Sequence, residues 1–256
     1  MDDAALLSLL YEAADAVRAA LAGFDDWAAA GTRPGQYGLD LVADEAARSV
    51  LAVPDMTVLS EESGVTGDGQ GMWAVLDPVD GSTNASLGLP YYATSICVVD
   101  GLGPRVGVVV NLATGAHYEA VRNKGARRDG QAIGPRACRR LGDAVVGISG
   151  FPARHLGWAQ FRALGAASLE LCAVAEGLLD AYLQVGTARL SPWDYMAGML
   201  ICREAGAVVA ELDGRELVVC DEVRRRPVAA ATPELLSQLV AAARGSPRAG
   251  RGPVAG

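Results

Sequence analysis

A layered α+β fold is what this 256-residue chain predicts. Two observations carry the prediction. Apolar residues recur at helical spacing near both ends, and the stretch 91–122 reads as antiparallel strands joined by glycine turns. Long helices mixed with antiparallel runs bury their apolar faces best in layers. The chain is long enough to bury roughly 70–75% of its unfolded surface, so it needs no disulfide or metal merely to fold. With 51% hydrophobic and 20% charged residues, its composition is that of a globular domain.

The elements follow in order. Leu6, Leu9, Leu10, Ala13, Ala14, Val17 and Leu21 predict a helix over 3–29. Residues 31–38, with Pro34, break it, and a second helix over 40–52 stops before Pro54. Residues 57–60 read as a short strand, 64–71 as a glycine-rich loop, and 72–76 as a strand ended by Asp77-Pro78. Pro78 is expected to turn the chain out of the sheet. Strands follow at 93–99, 105–111, 116–122 and 144–149. Helices are expected at 155–164 and 168–177, a strand at 178–185, and a helix at 193–205 ending at Gly206. Short strands at 207–211, 216–220 and 227–231 precede a last helix over 233–243. Residues 1–244 form one expected domain, and the Gly-, Pro- and Arg-rich segment 245–256 a disordered tail.

Composition excludes several functions. Net charge is -8 and the pI about 4.8, which disfavours nucleic acids and anionic membranes as partners. The five cysteines are scattered and form no C-x-x-C, as expected of core residues in a reducing compartment. His117 and His155 are the only histidines, so H-E-x-x-H zinc chemistry is absent. The single lysine, Lys124, lies in a turn rather than a phosphate loop. An acidic start without a basic leader, and no apolar run near ~20 residues, make a cytoplasmic protein without membrane attachment the expectation.

The informative stretch runs from Trp73 to Asn84. An apolar strand runs into Asp77, Asp80 follows, and Gly81-Ser82-Thr83-Asn84 reads as the start of a short helix. Free N–H groups at such a start make an anion seat, and two aspartates beside a phosphate-sized seat are what Mg²⁺ needs. Asp80 is equally an ordinary N-cap by spacing. Glu61-Glu62 follows the 57–60 strand and reads alone as a solvated loop. Ser191-Pro192-Trp193-Asp194 has the form of a capping box. Asp44, on the second helix, reads alone as a solvated residue.

Together and in this order, Glu61-Glu62-Ser63, the eight residues 77–84, and Trp193-Asp194-Tyr195-Met196-Ala197-Gly198 running on to Glu204-Ala205-Gly206 resemble the inositol monophosphatase family of Mg²⁺-dependent, Li⁺-sensitive phosphatases. The resemblance implies an αβαβα sandwich of the inositol monophosphatase and fructose-bisphosphatase type. It implies two or three Mg²⁺ ions, a homodimer and a small phosphorylated metabolite as partner. By resemblance, Glu61, Asp77 and the Val79 carbonyl hold one metal, and Asp77, Asp80 and Asp194 a second. Asp44 and Ser82 match the pair that orients the attacking water. Gly81, Ser82 and Thr83 meet the phosphate, and Gly165, Ala167 and Gln184 match substrate contacts. Physics supports the assembly: two carboxylates 4 Å apart repel by roughly 4 kcal/mol at an effective dielectric of 20, so such a cluster asks for cations.

Departures bear on substrate. Serine stands at 82 where the family often has threonine, Ala85 replaces a common phenylalanine, and Gln36-Tyr37 stands where many members have a lysine. Gln184 is the nearest match to a glutamate that grips substrate hydroxyls, and the link from Gly186 to Pro192 is longer and holds Arg189. The expected activity is a metal-dependent phosphomonoesterase acting on a small phosphorylated polyol or sugar. The alternatives are 3′-phosphoadenosine phosphate, fructose bisphosphate or histidinol phosphate as substrate, or a catalytically silent binding protein.

Overall fold

The structure, a computed structural model, describes residues 1–33, 35–186 and 189–245. Helix α1 (Asp3–Ala22) starts where the Asp2 carboxylate accepts from the Ala5 amide at 2.8 Å. It buries the predicted leucine and alanine stripe against α2 (Gly38–Leu51) and ends at Gly23, earlier than the spacing suggests. There the Phe24 amide folds back to Leu21, and the Trp27 indole donates to the Phe24 carbonyl, so 24–29 belong to a turn rather than the helix.

Strands β1 (Met56–Ser60), β2 (Gly64–Thr66) and β3 (Met72–Asp80) come next, then the single-turn helix α3 (Ser82–Ser86). Strands β4 (Ala93–Asp100), β5 (Gly103–Asn111), β6 (His117–Val121), β7 (Ala126–Arg128) and β8 (Gln131–Ala132) complete a sheet ordered β2-β1-β3-β4-β5-β6-β7-β8. Only β1 and β3 pair in parallel. Pro78 does not end β3. The strand continues to Asp80 through a register break against β4 between Asp77 and Asp80, where a residue without an N–H costs no ladder bond.

The second half holds β9 (Val145–Ser149), β10 (Gln160–Arg162), α4 (Ala167–Ala175), β11 (Ala181–Gln184), α5 (Pro192–Ala205), β12 (Val208–Glu211), β13 (Pro227–Ala230) and α6 (Pro233–Arg244). The five strands are ordered β10-β9-β11-β13-β12. The helix expected at 155–164 is absent. Those residues form a turn through Gly157, with φ +102°, and then the edge strand β10, parallel to β9. The strand expected at 216–220 is absent too, because side chains take its carbonyls: Arg225 Nε bonds Glu216 O and Tyr195 Oη bonds Leu217 O. The 178–185 strand begins only at Ala181, after Gly177 turns the chain.

Five layers result. Helices α1 and α2 cover one face of the first sheet, α4 and α5 lie between the two sheets, and α6 covers the far face of the second. This is the αβαβα sandwich. The middle position explains why all nine residues of α4 are buried. Gly198 lets α5 sit against α4, since a Cβ there would lie 2.8 Å from the Leu171 Cβ. Gly245 caps α6, and the rest of the expected tail lies outside the described residues. Among the described residues no helix is long and apolar enough to cross a membrane.

Candidate active site

The parallel pairing of β1 with β3 places the first two carboxylates. Ser60 stands opposite Leu76, so Glu61, just past the end of β1, comes beside Asp77 within β3, and the Glu61 amide donates to the Leu76 carbonyl at 3.2 Å. Asp194 arrives from the middle layer. Ser95, opposite Asp77 on β4, donates its hydroxyl to the Trp193 carbonyl at 3.2 Å and ties the start of α5 to the sheet. One carboxylate oxygen from each of Glu61, Asp77 and Asp194 then lies within 4.8 Å of the others. Asp194 also completes the capping box, accepting from the Ser191 amide at 2.7 Å. Cap and cluster, alternatives in the sequence, are both true of one side chain.

No cation among the described protein groups balances this cluster at contact distance. Burial, reinforced by Glu62, Asp80 and Asp40, pushes the Glu61 carboxyl up to about 7. Burial and then Glu61 push Asp77 and Asp194 well above the usual carboxylate range. Three hard oxygen donors with no protein cation at contact distance fit a divalent cation such as Mg²⁺.

Asp80 borders the same hollow as Asp77 and Asp194, but its carboxylate also bonds α4. Its carboxylate accepts from the Ala167 and Ser168 amides at 3.3 and 2.7 Å and from the Ser168 hydroxyl at 2.5 Å, so it anchors the start of α4. Burial lifts it to about 6 against those bonds. All four expected carboxylates border one hollow, and oxygens of Glu61, Asp77 and Asp194 lie within 4.8 Å of one another.

Gly81 holds φ +89° at the junction of β3 and α3, where a Cβ would come within 3.1 Å of Ala166 Cβ, Gly165 O and Tyr91 O. The Asn84 amide donates to the Tyr91 and Leu164 carbonyls and fixes the 164–166 segment beside it. Val79, Gly81, Ser82, Thr83 and Gly165 border the same hollow as Asp77 and Asp194. Ala167 and Gln184 do not. The Ala167 amide is taken by Asp80, and Gln184 is 1% exposed at the end of β11, with its Nε2 on the Val185 carbonyl.

On α2, the Asp44 carboxylate accepts from Ser60 Oγ at 2.5 Å, Ser63 Oγ at 3.3 Å and Arg48 Nε at 2.8 Å. Asp40, one turn earlier, lines the cleft with Ser82 and Glu61, and the Ser82 hydroxyl favours its ionised form. Burial lifts it to about 6, and the Tyr37 amide, on its Oδ2 at 2.8 Å, opposes the rise. The signal for Asp40 was its place in the first turn, three residues after Tyr37, where a carboxylate meets the helix start. Glu62, beside the cluster, is held by Arg33 at 2.5 Å and by the Gln36 amide.

The family model for the inositol monophosphatase family matches residues 39–248. The chain belongs to that family. A fructose-1,6-bisphosphatase/inositol-1-monophosphatase of Archaeoglobus fulgidus is 38% identical over 70% of this chain and 71% of its own length. Nus factor SuhB of Escherichia coli is 32% identical over 82% of this chain and 80% of its own. Among solved structures, the inositol monophosphatase from Anabaena superposes with a TM-score of 0.79 at 25% identity, covering 95% of this chain and 96% of that one. The SuhB extragenic suppressor protein of Bartonella henselae gives 0.80 at 25% identity, covering 94% and 99%. The family's sandwich and the five layers found here agree.

Proposed function

We propose that this chain is a Mg²⁺-dependent phosphomonoesterase of small phosphorylated polyols or sugars. The observation that carries the reading is the convergence of Glu61, Asp77 and Asp194, from three separate stretches, beside Ser82 and Asp40. Those carboxylates, with the Val79 carbonyl, would hold the metal, and Asp80 would join them on the side facing α4. When bound, Mg²⁺ supplies a Lewis acid for the phosphoryl oxygens and lowers the pKa of a nucleophilic water.

The protein's own groups do the rest. Ser82 Oγ–H donates to the Asp40 carboxylate, which leaves the Ser82 oxygen turned to accept from the attacking water. In this role Asp40 replaces Asp44. The amides of Gly81 and Ser82 and the Thr83 hydroxyl meet the phosphate. Gly165 borders the leaving group. The net charge of -8 supports a small-molecule substrate over a nucleic acid.

A purely binding role has less support, because an unneutralised acidic cluster retained without a cation lowers stability. The homodimer carried by the family resemblance belongs to this proposal, and light scattering on the purified protein tests it. The activity test is a panel of phosphate esters, assayed after exhaustive chelation and again after adding Mg²⁺. Turnover should vanish and return; turnover undiminished by chelation overturns the reading.

A further inference from the structure

We propose that Arg224 reads a second anionic group on the substrate, so that this chain prefers phosphate esters that also carry a carboxylate or a second phosphate. The inference rests on the phosphatase reading above. Three arginines stand in a row before β13, and two are committed to structure. Arg225 is buried, bonds Glu216 O through Nε at 2.6 Å, and exchanges backbone bonds with Leu190 at 2.7 and 2.9 Å. Arg226 donates its amide to Glu211 at 3.0 Å and pairs with Asp213 at 3.3 Å. Arg224 is exposed, lines the cleft with Asp40, Glu61, Ser82 and Trp193, and has no ion-pair partner among the described residues.

Its backbone is anchored through its neighbour. The bridge between Arg225 and Leu190 joins its neighbour to the residue before Ser191, where α5 begins. The charge of Arg224 reaches Asp194 and favours its ionised form. The other cleft arginine, Arg33, is already paired with Glu62 at 2.5 Å. Glu222 also borders the cleft, with its carboxylate toward Gly64. Among the described residues Arg224 is thus the cleft arginine left without an ion-pair partner. A phosphate seated at Ser82 leaves the body of the substrate to extend along Trp193 toward that guanidinium. A neutral polyol offers it only hydroxyls, whereas a carboxylate or phosphate offers a charge-assisted, bidentate partner.

The test uses substrate pairs that differ in one charge. Glycerol 3-phosphate is set against 3-phosphoglycerate, and fructose 1-phosphate against fructose 1,6-bisphosphate, each assayed for kcat/KM with saturating Mg²⁺. Wild type should favour the doubly anionic member of at least one pair, and which pair responds distinguishes carboxylate from phosphate. Arg224→Gln should cut that preference about 10- to 100-fold, through KM more than kcat, and Arg224→Lys should restore part of it. A wild-type preference near unity in both pairs, or one unchanged in Arg224→Gln, overturns the role of Arg224 while the singly anionic esters still report a phosphatase. If wild type hydrolyses none of the four, the phosphatase reading fails and this inference falls with it.

Discussion

Carboxylates in the two halves of the molecule meet opposite fates. In the second sheet, Asp180 is fully buried, yet Arg136 grips it through both oxygens at 2.8–2.9 Å and the Val145 amide donates to it at 2.8 Å. Glu211 is similar. Burial pushes it up, but Arg215 at 2.5 Å and three backbone amides outweigh that, and its carboxyl lies below the usual range. Beside the end of β1 in the first sheet, Glu61, Asp77 and Asp194 face one another with no such partner. Asp180 and Glu211, which serve the fold, each come with their own arginine. A group of carboxylates left without one is waiting for a cation from outside.

The strongest way to break this comparison is to neutralise one member on each side. Asp77→Asn should lower Mg²⁺-dependent turnover by more than the roughly 10–100-fold typical of residues behind a metal ligand. The same variant should melt no lower, and even higher, than wild type without metal, because it removes repulsion while its Oδ1 can still accept from the Val79 amide. A lower metal-free melting temperature with activity kept would make Asp77 a structural residue.

Next comes α2, where the two kinds of carboxylate lie one turn apart. Asp40→Asn and Ser82→Ala should each reduce kcat by about 10²–10⁴-fold, and the double variant should be little worse than either. Asp44→Asn should keep kcat within a few-fold and cost about 1 kcal/mol of stability, as it loosens Arg48 and Ser60. The reverse ranking would return the water-orienting role to Asp44.

Asp180→Asn is the counterpart in the second sheet. It should cost about 1–3 kcal/mol in denaturant unfolding, because Arg136 is half-exposed and stays partly hydrated, and it should leave kcat/KM near wild type.

The smallest effect is in pH. Glu61, Asp40 and Asp80 bind protons more tightly folded than unfolded, since burial raises them to about 7, 6 and 6. The folded state then holds more protons between roughly pH 4 and 7, so metal-free stability should fall as pH rises through that window and level off above it. Melting curves from pH 4.5 to 8 should show this decline, and saturating Mg²⁺ should reverse or flatten it. A metal-free protein that gains stability over the same range would mean the cluster is not strained.

Much of the fold and part of the site could be read from the residues. The stretch 77–84 was legible because strand, turn and helix start are local, and α1 because one face repeats its leucines. Asp40 and Asp44 could not be ranked by spacing, since residues four apart share a helix face and only the tertiary position of that face decides which turn reaches the cleft. The 155–164 segment misled because an edge strand of three residues has too few positions to show a period of two. Ala167 looked like a substrate contact until Asp80, 87 residues away, took its amide. Short pairings such as β7 with β8 also rest on distant partners and leave little local trace.

Gly198 gives the site a mechanical origin far from its chemistry. Asp194 is keyed to the first turn of α5 by its bond to the Ser191 amide, so its free oxygen goes wherever the helix goes. Sliding α5 by a single residue would carry that oxygen about 1.5 Å along the axis and swing it roughly 100° around it. What stops the slide is contact with α4, where the missing side chain at 198 lets the two backbones close on Leu171 and Ser168. Ser168 is itself bonded to Asp80. The aim of the cluster is therefore set by how closely two buried helices nest, one turn below the residue that does the aiming.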